Sequence, residues 1–96
     1  MLVKFTPPSL VNGYVMIDVP SYPQRLKYAK DLDINGEGVS GYDVMIKMLE
    51  LANVHVKEVH IEGYEKFSDM LEDSELDSVN NEIAQVILNG VKLPKK

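Results

Sequence analysis

The chain has 96 residues, 45% of them hydrophobic and 26% charged, which is the composition of an ordinary globular domain. Its formal net charge of -5 counts against nucleic acid and against an anionic membrane surface as partners, and the absence of cysteine excludes disulfides and a cysteine nucleophile. The length fits a single domain over residues 1–96, and because the sequence shows neither a membrane span nor a signal-peptide pattern, we expect a cytoplasmic protein.

The first part of the chain predicts a β-hairpin that leads into a helix. Met1 to Phe5 predict a short strand or an ordered arm, which Pro7-Pro8 interrupts because proline lacks a backbone donor. Tyr14 to Val19 predict a second strand, and Asn12-Gly13, a dipeptide typical of tight turns, would join it to residues 3–11 as a hairpin. Proline follows the second strand, so a helix is expected to begin at Ser21 or Tyr22.

The second predicted helix is the strongest amphipathic segment of the chain, and it follows a glycine-rich loop at residues 33–41. Its apolar side chains recur at helical spacing. Methionine packs into irregular cores and also forms adaptable binding surfaces, so two interpretations of this face remain open. The first is core packing. The second is a partner-binding surface, which would consist of Met45, Met48, Leu49 and Ala52.

The rest of the chain predicts one strand and two helices. Apolar residues alternate at 57–62 after a change of phase that indicates a bulge or a turn at Lys57-Glu58. Phe67-Ser68-Asp69 predicts a staple and cap for a one-turn helix that carries Met70 and Leu71. Ser74 and Asp77 are expected to open a last amphipathic helix, which stops at Asn89-Gly90. This order predicts an α+β fold with a small antiparallel sheet, an N-terminal hairpin plus a later strand, packed with three to four helices.

No pattern of residues predicts a catalytic site. His55 and His60 are separated by an odd number of residues, so on a regular strand they would face opposite sides and would not share a metal. Gly36-Glu37-Gly38 lacks the lysine and the third glycine of a phosphate loop. We therefore expect a protein that is not an enzyme and that needs no cofactor.

The loop between the first two helices has one further interpretation, a calcium site of the helix-loop-helix type. Asp33, Asn35 and Glu37 would be the first three oxygen ligands, Gly38 would allow the turn, and Asp43 would complete the set. The fit requires a one-residue deletion and an aspartate where glutamate is usual, and such residues are also common in plain loops between helices.

Four segments share their apolar spacing and helix caps with a known protein family. Residues 13–26 are similar to a strand that runs into a Tyr-Pro-x-Arg helix start, and residues 48–61 to a central helix with its following strand. Residues 64–73 are similar to a short acidic segment of the family and residues 81–90 to its last helix. In these features the chain resembles the small tail assembly chaperones of long-tailed bacteriophages.

The resemblance implies a non-enzymatic protein of the bacterial host cytoplasm that binds the tape measure protein during tail assembly. It also implies a possible contact with the tail tube protein, and self-association is compatible with it. Two alternatives remain open: a structural tail component that stays in the particle, and the calcium-binding module at residues 33–43.

Overall fold

The computed structural model of the protein describes residues 2–32 and 41–90. In these ranges the chain forms an antiparallel sheet in the order β1-β2-β3, with β1 at Leu2–Phe5, β2 at Tyr14–Asp18 and β3 at Val56–His60. The helices are α1 (Tyr22–Leu32), α2 (Gly41–His55), α3 (Phe67–Leu71) and α4 (Asp77–Asn89), with a 3₁₀ turn at Ser74–Leu76. The predicted α+β fold, with its N-terminal hairpin and later strand, is confirmed.

The connection between β1 and β2 differs from the predicted tight hairpin. The two strands pair antiparallel, but β1 ends at Phe5 and residues 6–13 form an irregular loop. Pro7 is buried in this loop, and its carbonyl accepts a hydrogen bond of 3.0 Å from the Leu10 N–H. The interruption at Pro7-Pro8 is as predicted, because proline has no N–H to donate to a ladder. The prediction of a hairpin over residues 3–11 with a tight turn at Asn12-Gly13 is wrong.

Two hydrogen bonds hold this loop against α4. The backbone N–H of Ser9 donates to one carboxylate oxygen of Glu82 at 2.9 Å, and the Ser9 hydroxyl donates to the other at 2.7 Å. Hydrogen bonds to an ionised acceptor are shorter and stronger than neutral ones. Glu82 therefore anchors the loop after β1 to the last helix.

A β-bulge in β3 explains the change of phase in the sequence. Glu58 pairs with Met16 and Val56 pairs with Ile17, so Lys57 is the extra residue of β3. The bulge brings Val56 onto the core side of the sheet, where it packs against the buried side chains. Of the two predicted alternatives, a bulge or a turn, the structure has the bulge.

The helices and the inner face of the sheet enclose one hydrophobic core, and α4 contributes most to it. α4 repeats buried apolar side chains at the spacing of a helix, as predicted, and it contacts both α1 and α2. The buried apolar side chains are Val15, Ile17, Leu32, Met48, Ala52, Phe67, Met70, Val79, Ile83, Ala84, Val86 and Ile87.

One polar side chain lies inside this core. Asn80 in α4 is 3% exposed, and its Nδ2 donates a hydrogen bond of 2.9 Å to the Met70 carbonyl at the end of α3. Sequence reasoning did not single out Asn80, because an asparagine in the first turns of a helix is ordinarily a capping or solvent-exposed residue.

Asp73 caps the 3₁₀ turn that precedes α4. Its Oδ2 accepts a hydrogen bond from the Tyr64 hydroxyl, and its Oδ1 accepts one of 3.0 Å from the Glu75 N–H. These two bonds, the Tyr64 bond first, hold the pKa of Asp73 below its ordinary value. The same contact raises the pKa of Tyr64. Within the acidic run at 72–77, Asp73 is therefore the residue that caps the turn.

Acid is expected to weaken the fold through Asp73. Because its folded pKa is lowered, the carboxylate stabilises the fold above the unfolded value of about 3.8, and that stability is lost as pH falls through the folded pKa. Tyr64→Phe removes the larger cause of the shift. Urea unfolding between about pH 6 and pH 2.5 should therefore show a smaller loss of stability in Tyr64→Phe than in the wild type. Equal losses would mean that the Tyr64 hydroxyl does not hold the charged form.

Candidate functional site

The face of α2 that carries the predicted binding surface lies against the core. Met48 and Ala52 are 7% and 0% exposed, and Met45 and Leu49 are half-buried and pack against the same cluster. The prediction that these residues form an exposed partner-binding surface is therefore wrong for Met48 and Ala52, because α4 packs on the same stripe. Of the two interpretations, the structure supports core packing.

Other apolar side chains of α2 are exposed to solvent. Tyr42, Ile46 and Val54 are 84%, 55% and 62% exposed. In the sequence these residues extend the apolar composition of the helix beyond the width of one face, which is the signal that could have identified them. A helix whose apolar residues exceed one stripe has apolar surface left over after the core is filled.

Val54 belongs to an open groove between α1 and α2. The groove has a volume of about 430 Å³. Apolar residues line both walls at helical spacing: Tyr28 and Leu32 on α1, and Leu51 and Val54 on α2. Leu32 and Leu51 also belong to the core or pack against it, so the floor of the groove is the outer surface of the core itself.

Charged side chains border this groove. Asp31 on α1 and Lys47 and Glu50 on α2 are all exposed and line its edges. Lys47 and Val54 are seven residues apart on α2, which corresponds to about 10 Å or two helical turns. The groove therefore combines an apolar floor with a mixed polar rim, which is the usual anatomy of a protein-binding site.

A histidine bridge fixes the relative position of the two walls. His55, the last residue of α2, lies with Nδ1 2.9 Å from the Asp18 carbonyl and with Nε2 2.9 Å from the Tyr28 hydroxyl. Because a carbonyl only accepts, Nδ1 carries the hydrogen, and in the neutral ring Nε2 accepts from Tyr28. The Tyr28 and His55 rings also meet edge to face at 5.7 Å. Tyr28 thus ties α1 to α2 beside Val54.

The two histidines are not brought together. The sequence predicts His55 on a half-exposed strand. In the structure His55 is the last residue of α2, because this helix continues to the residue before β3. His60 lies on β3, where its ring stacks on Tyr14 and its Nε2 is 2.9 Å from a Glu58 carboxylate oxygen. In the described parts of the chain, no three His, Asp or Glu side chains are close enough together to hold a metal ion.

Only one of the predicted calcium ligands falls within the described residues. Asp43 is exposed in the first turn of α2, where a carboxylate interacts favourably with the helix dipole. Asp33, Asn35 and Glu37 lie outside the described residues. The calcium site therefore remains a prediction from the sequence.

Comparisons with known proteins add no family to this description. No protein-family model, curated protein or solved structure matches the chain. Within residues 2–32 and 41–90, none of the helices combines the length and the apolar composition that crossing a membrane requires.

Proposed function

We propose that this chain is a non-enzymatic tail assembly chaperone that binds an amphipathic helix of the phage tape measure protein. The observation that carries the proposal is the groove between α1 and α2, together with the resemblance of the sequence to that family. The protein would act in the bacterial cytoplasm before the tail tube forms, and tail tube protein would be a second partner.

The groove suits a helix because its walls are themselves helices. The Tyr28–Leu32 and Leu51–Val54 pairs present apolar side chains at i, i+4 and i, i+3 spacing, so a third helix laid between them can pack its ridges into their grooves. Helix-in-groove binding uses apolar anchors at the same spacing on the ligand. A partner helix of about two turns would cover the stretch from Lys47 to Val54.

The rim favours a partner helix with charges of both signs beside its apolar stripe. Asp31 and Glu50 would attract basic side chains and Lys47 an acidic one, while exposed pairs of this kind add selectivity more than affinity. A partner helix that is held mainly by the small apolar floor of the groove would bind reversibly. Reversible cover of an apolar helix is what an assembly chaperone provides, because it keeps the partner soluble and then leaves it.

Co-expression with the tape measure protein, followed by affinity co-purification and titration, tests this proposal. Val54→Lys should weaken binding about tenfold or more, since it places a charge where an apolar side chain of the partner would be buried. Ile46→Lys is the matched control, because Ile46 lies on the same helix with similar exposure but does not line the groove.

The two variants separate the parts of the proposal. Retained binding by Ile46→Lys with loss in Val54→Lys supports the groove. Equal binding by both variants and the wild type would place the partner elsewhere on the protein. If the wild type neither co-purifies with the tape measure protein nor keeps it soluble, the chaperone function is wrong.

A further inference from the structure

The face of the sheet opposite the core carries aromatic and charged side chains. Val15 and Ile17 of β2 point inward and are fully buried, so Tyr14 and Met16, which alternate with them, point to the other side of the sheet. Met16 is half-buried there and does not belong to the core cluster. We refer to the part of this side that consists of Lys4, Tyr14, Met16, Glu58 and His60 as the outer face; the paired Leu2 and Asp18 continue the same side at the end of β2.

A continuous chain of contacts crosses the outer face from one edge strand to the other. The Lys4 Nζ on β1 lies 4.3 Å from the centre of the Tyr14 ring. The Tyr14 and His60 rings stack at 4.5 Å with 17° between their planes. His60 Nε2 then lies 2.9 Å from a Glu58 carboxylate oxygen on β3. The outer face therefore has a cation at its β1 edge and an anion at its β3 edge.

The strand register places the two opposite charges on one row. Lys4 is directly opposite Met16 on β2, and Met16 is directly opposite Glu58 on β3. The row thus runs positive, apolar, negative across the sheet, with β2 at its middle. A half turn about an axis parallel to β2 exchanges the positive and the negative end of this row.

We propose that the outer face binds a second copy of this chain through a two-fold axis that runs along β2. The half turn places Lys4 of each copy opposite Glu58 of the other and brings the two Met16 side chains together at the axis. Sheets that pack face to face are about 10 Å apart with roughly aligned strands, which leaves room for one layer of these side chains from each copy.

A second copy is favoured over an unrelated partner because the charges of the outer face are complementary to themselves. A two-fold interface uses the same patch on both subunits, so the patch must carry its own complement. Lys4 and Glu58 at equal distances on either side of β2 meet this condition. Opposite charges across an interface fix its register and suppress wrong pairings.

The size of the outer face predicts a reversible dimer. Three strands of about five residues cover about 240 Å² in projection. A stable interface needs about 800 Å² from each partner. We therefore expect an equilibrium between monomer and dimer with a Kd between about 0.1 mM and 1 mM at low salt, and a dissociation that increases with salt because exposed charges contribute.

Sedimentation equilibrium of the purified chain, from about 10 µM to 1 mM, tests the dimer. Lys4→Glu makes both ends of the row acidic and Glu58→Lys makes both ends basic, so each variant alone should weaken dimerisation about tenfold or more. The double variant Lys4→Glu/Glu58→Lys restores opposite charges and should dimerise like the wild type. Both side chains are exposed, so each variant should fold, and circular dichroism is the measurement that checks this.

A mixture of the two single variants gives the sharpest result. Equal amounts of Lys4→Glu and Glu58→Lys should form a heterodimer more tightly than either variant pairs with itself. Lys27→Glu mixed with Glu72→Lys is the matched control, because it makes the same changes of net charge at exposed residues of α1 and of the end of α3. This control mixture should associate no more than the wild type does.

Two results would overturn the proposal. The first is a wild type that remains monomeric at 1 mM in low salt. The second is self-association that neither single reversal weakens, which would place the interface on another face. Because Val54 and the α1–α2 groove are not part of the outer face, neither result bears on the proposed chaperone function.

Discussion

Met48→Asp is expected to destabilise the fold strongly. Met48 is 7% exposed in the core between α2 and α4, and no charged partner faces it among the buried residues. A carboxylate left unpaired in such a site costs about 4 kcal/mol or more. Since a domain of this size has a total stability of about 5–15 kcal/mol, we expect a fall in Tm of about 20 °C or more, measured by circular dichroism.

Ile46→Asp is the control for this prediction. Ile46 lies two residues earlier on α2 but is 55% exposed, so the same aspartate remains in water and Tm should change by only a few degrees. If Met48→Asp keeps the Tm of the wild type, Met48 does not lie in the core, and the partner-binding interpretation of this face of α2 would return.

Gly13→Ala is expected to have the second largest effect. Gly13 has φ of +113°, a conformation that L residues rarely adopt, and an added Cβ would lie 2.6 Å from the backbone carbonyl oxygen of His60. The backbone carbonyl at the end of β3 cannot move away from the added Cβ as the end of a flexible side chain could. The combined strain and overlap should cost about 3 kcal/mol, or about 15 °C in Tm.

Two other glycines separate the causes of this effect. Gly63 has φ of +91°, and no atom of the described residues lies within 4 Å of an added Cβ, so Gly63→Ala measures the backbone strain alone, at about 1–2 kcal/mol. Gly41 begins α2 without a positive φ, and an added Cβ there also meets no atom of residues 2–32 and 41–90 within 4 Å, so Gly41→Ala should be neutral or slightly stabilising. A loss in Gly13→Ala no larger than that in Gly63→Ala would mean that the contact with His60 does not matter.

Elements whose signals are local were predictable from the sequence. β2, the short helix that carries Met70 and the stop at Gly90 each depend on residues within one or two turns of chain, and each forms where it was expected. Of the bulge and the turn predicted near Lys57, the bulge forms. The interruption of β1 by its prolines was also predictable, but the path of the loop at residues 6–13 was not, because the anchor of its backbone is Glu82, a residue distant in sequence. The Asn12-Gly13 pattern could not reveal that contact.

The candidate site could not be predicted for a different physical reason. Helical periodicity shows that a stripe of α2 is apolar. It does not show whether the core of the protein or a partner covers this stripe. From the sequence, Met45 and Met48 could belong either to the core or to a binding surface. The position of α4 against them decides for the core. The groove depends on the distance between α1 and α2, which the bridge from Tyr28 to His55 helps to set. The residue pattern of a single helix gives no information on the distance between two helices.

The position of α4 in the chain has a consequence for synthesis in the cell. α4 supplies Val79, Ile83 and Ile87 to the core and receives the Ser9 loop, yet it leaves the ribosome after every other element of the fold. At about 5–20 residues per second, the nascent hairpin and α2 wait several seconds with their apolar sides uncovered. The domain therefore completes its folding only after α4 has left the ribosome, and until then the unfinished domain is itself a client for cellular chaperones.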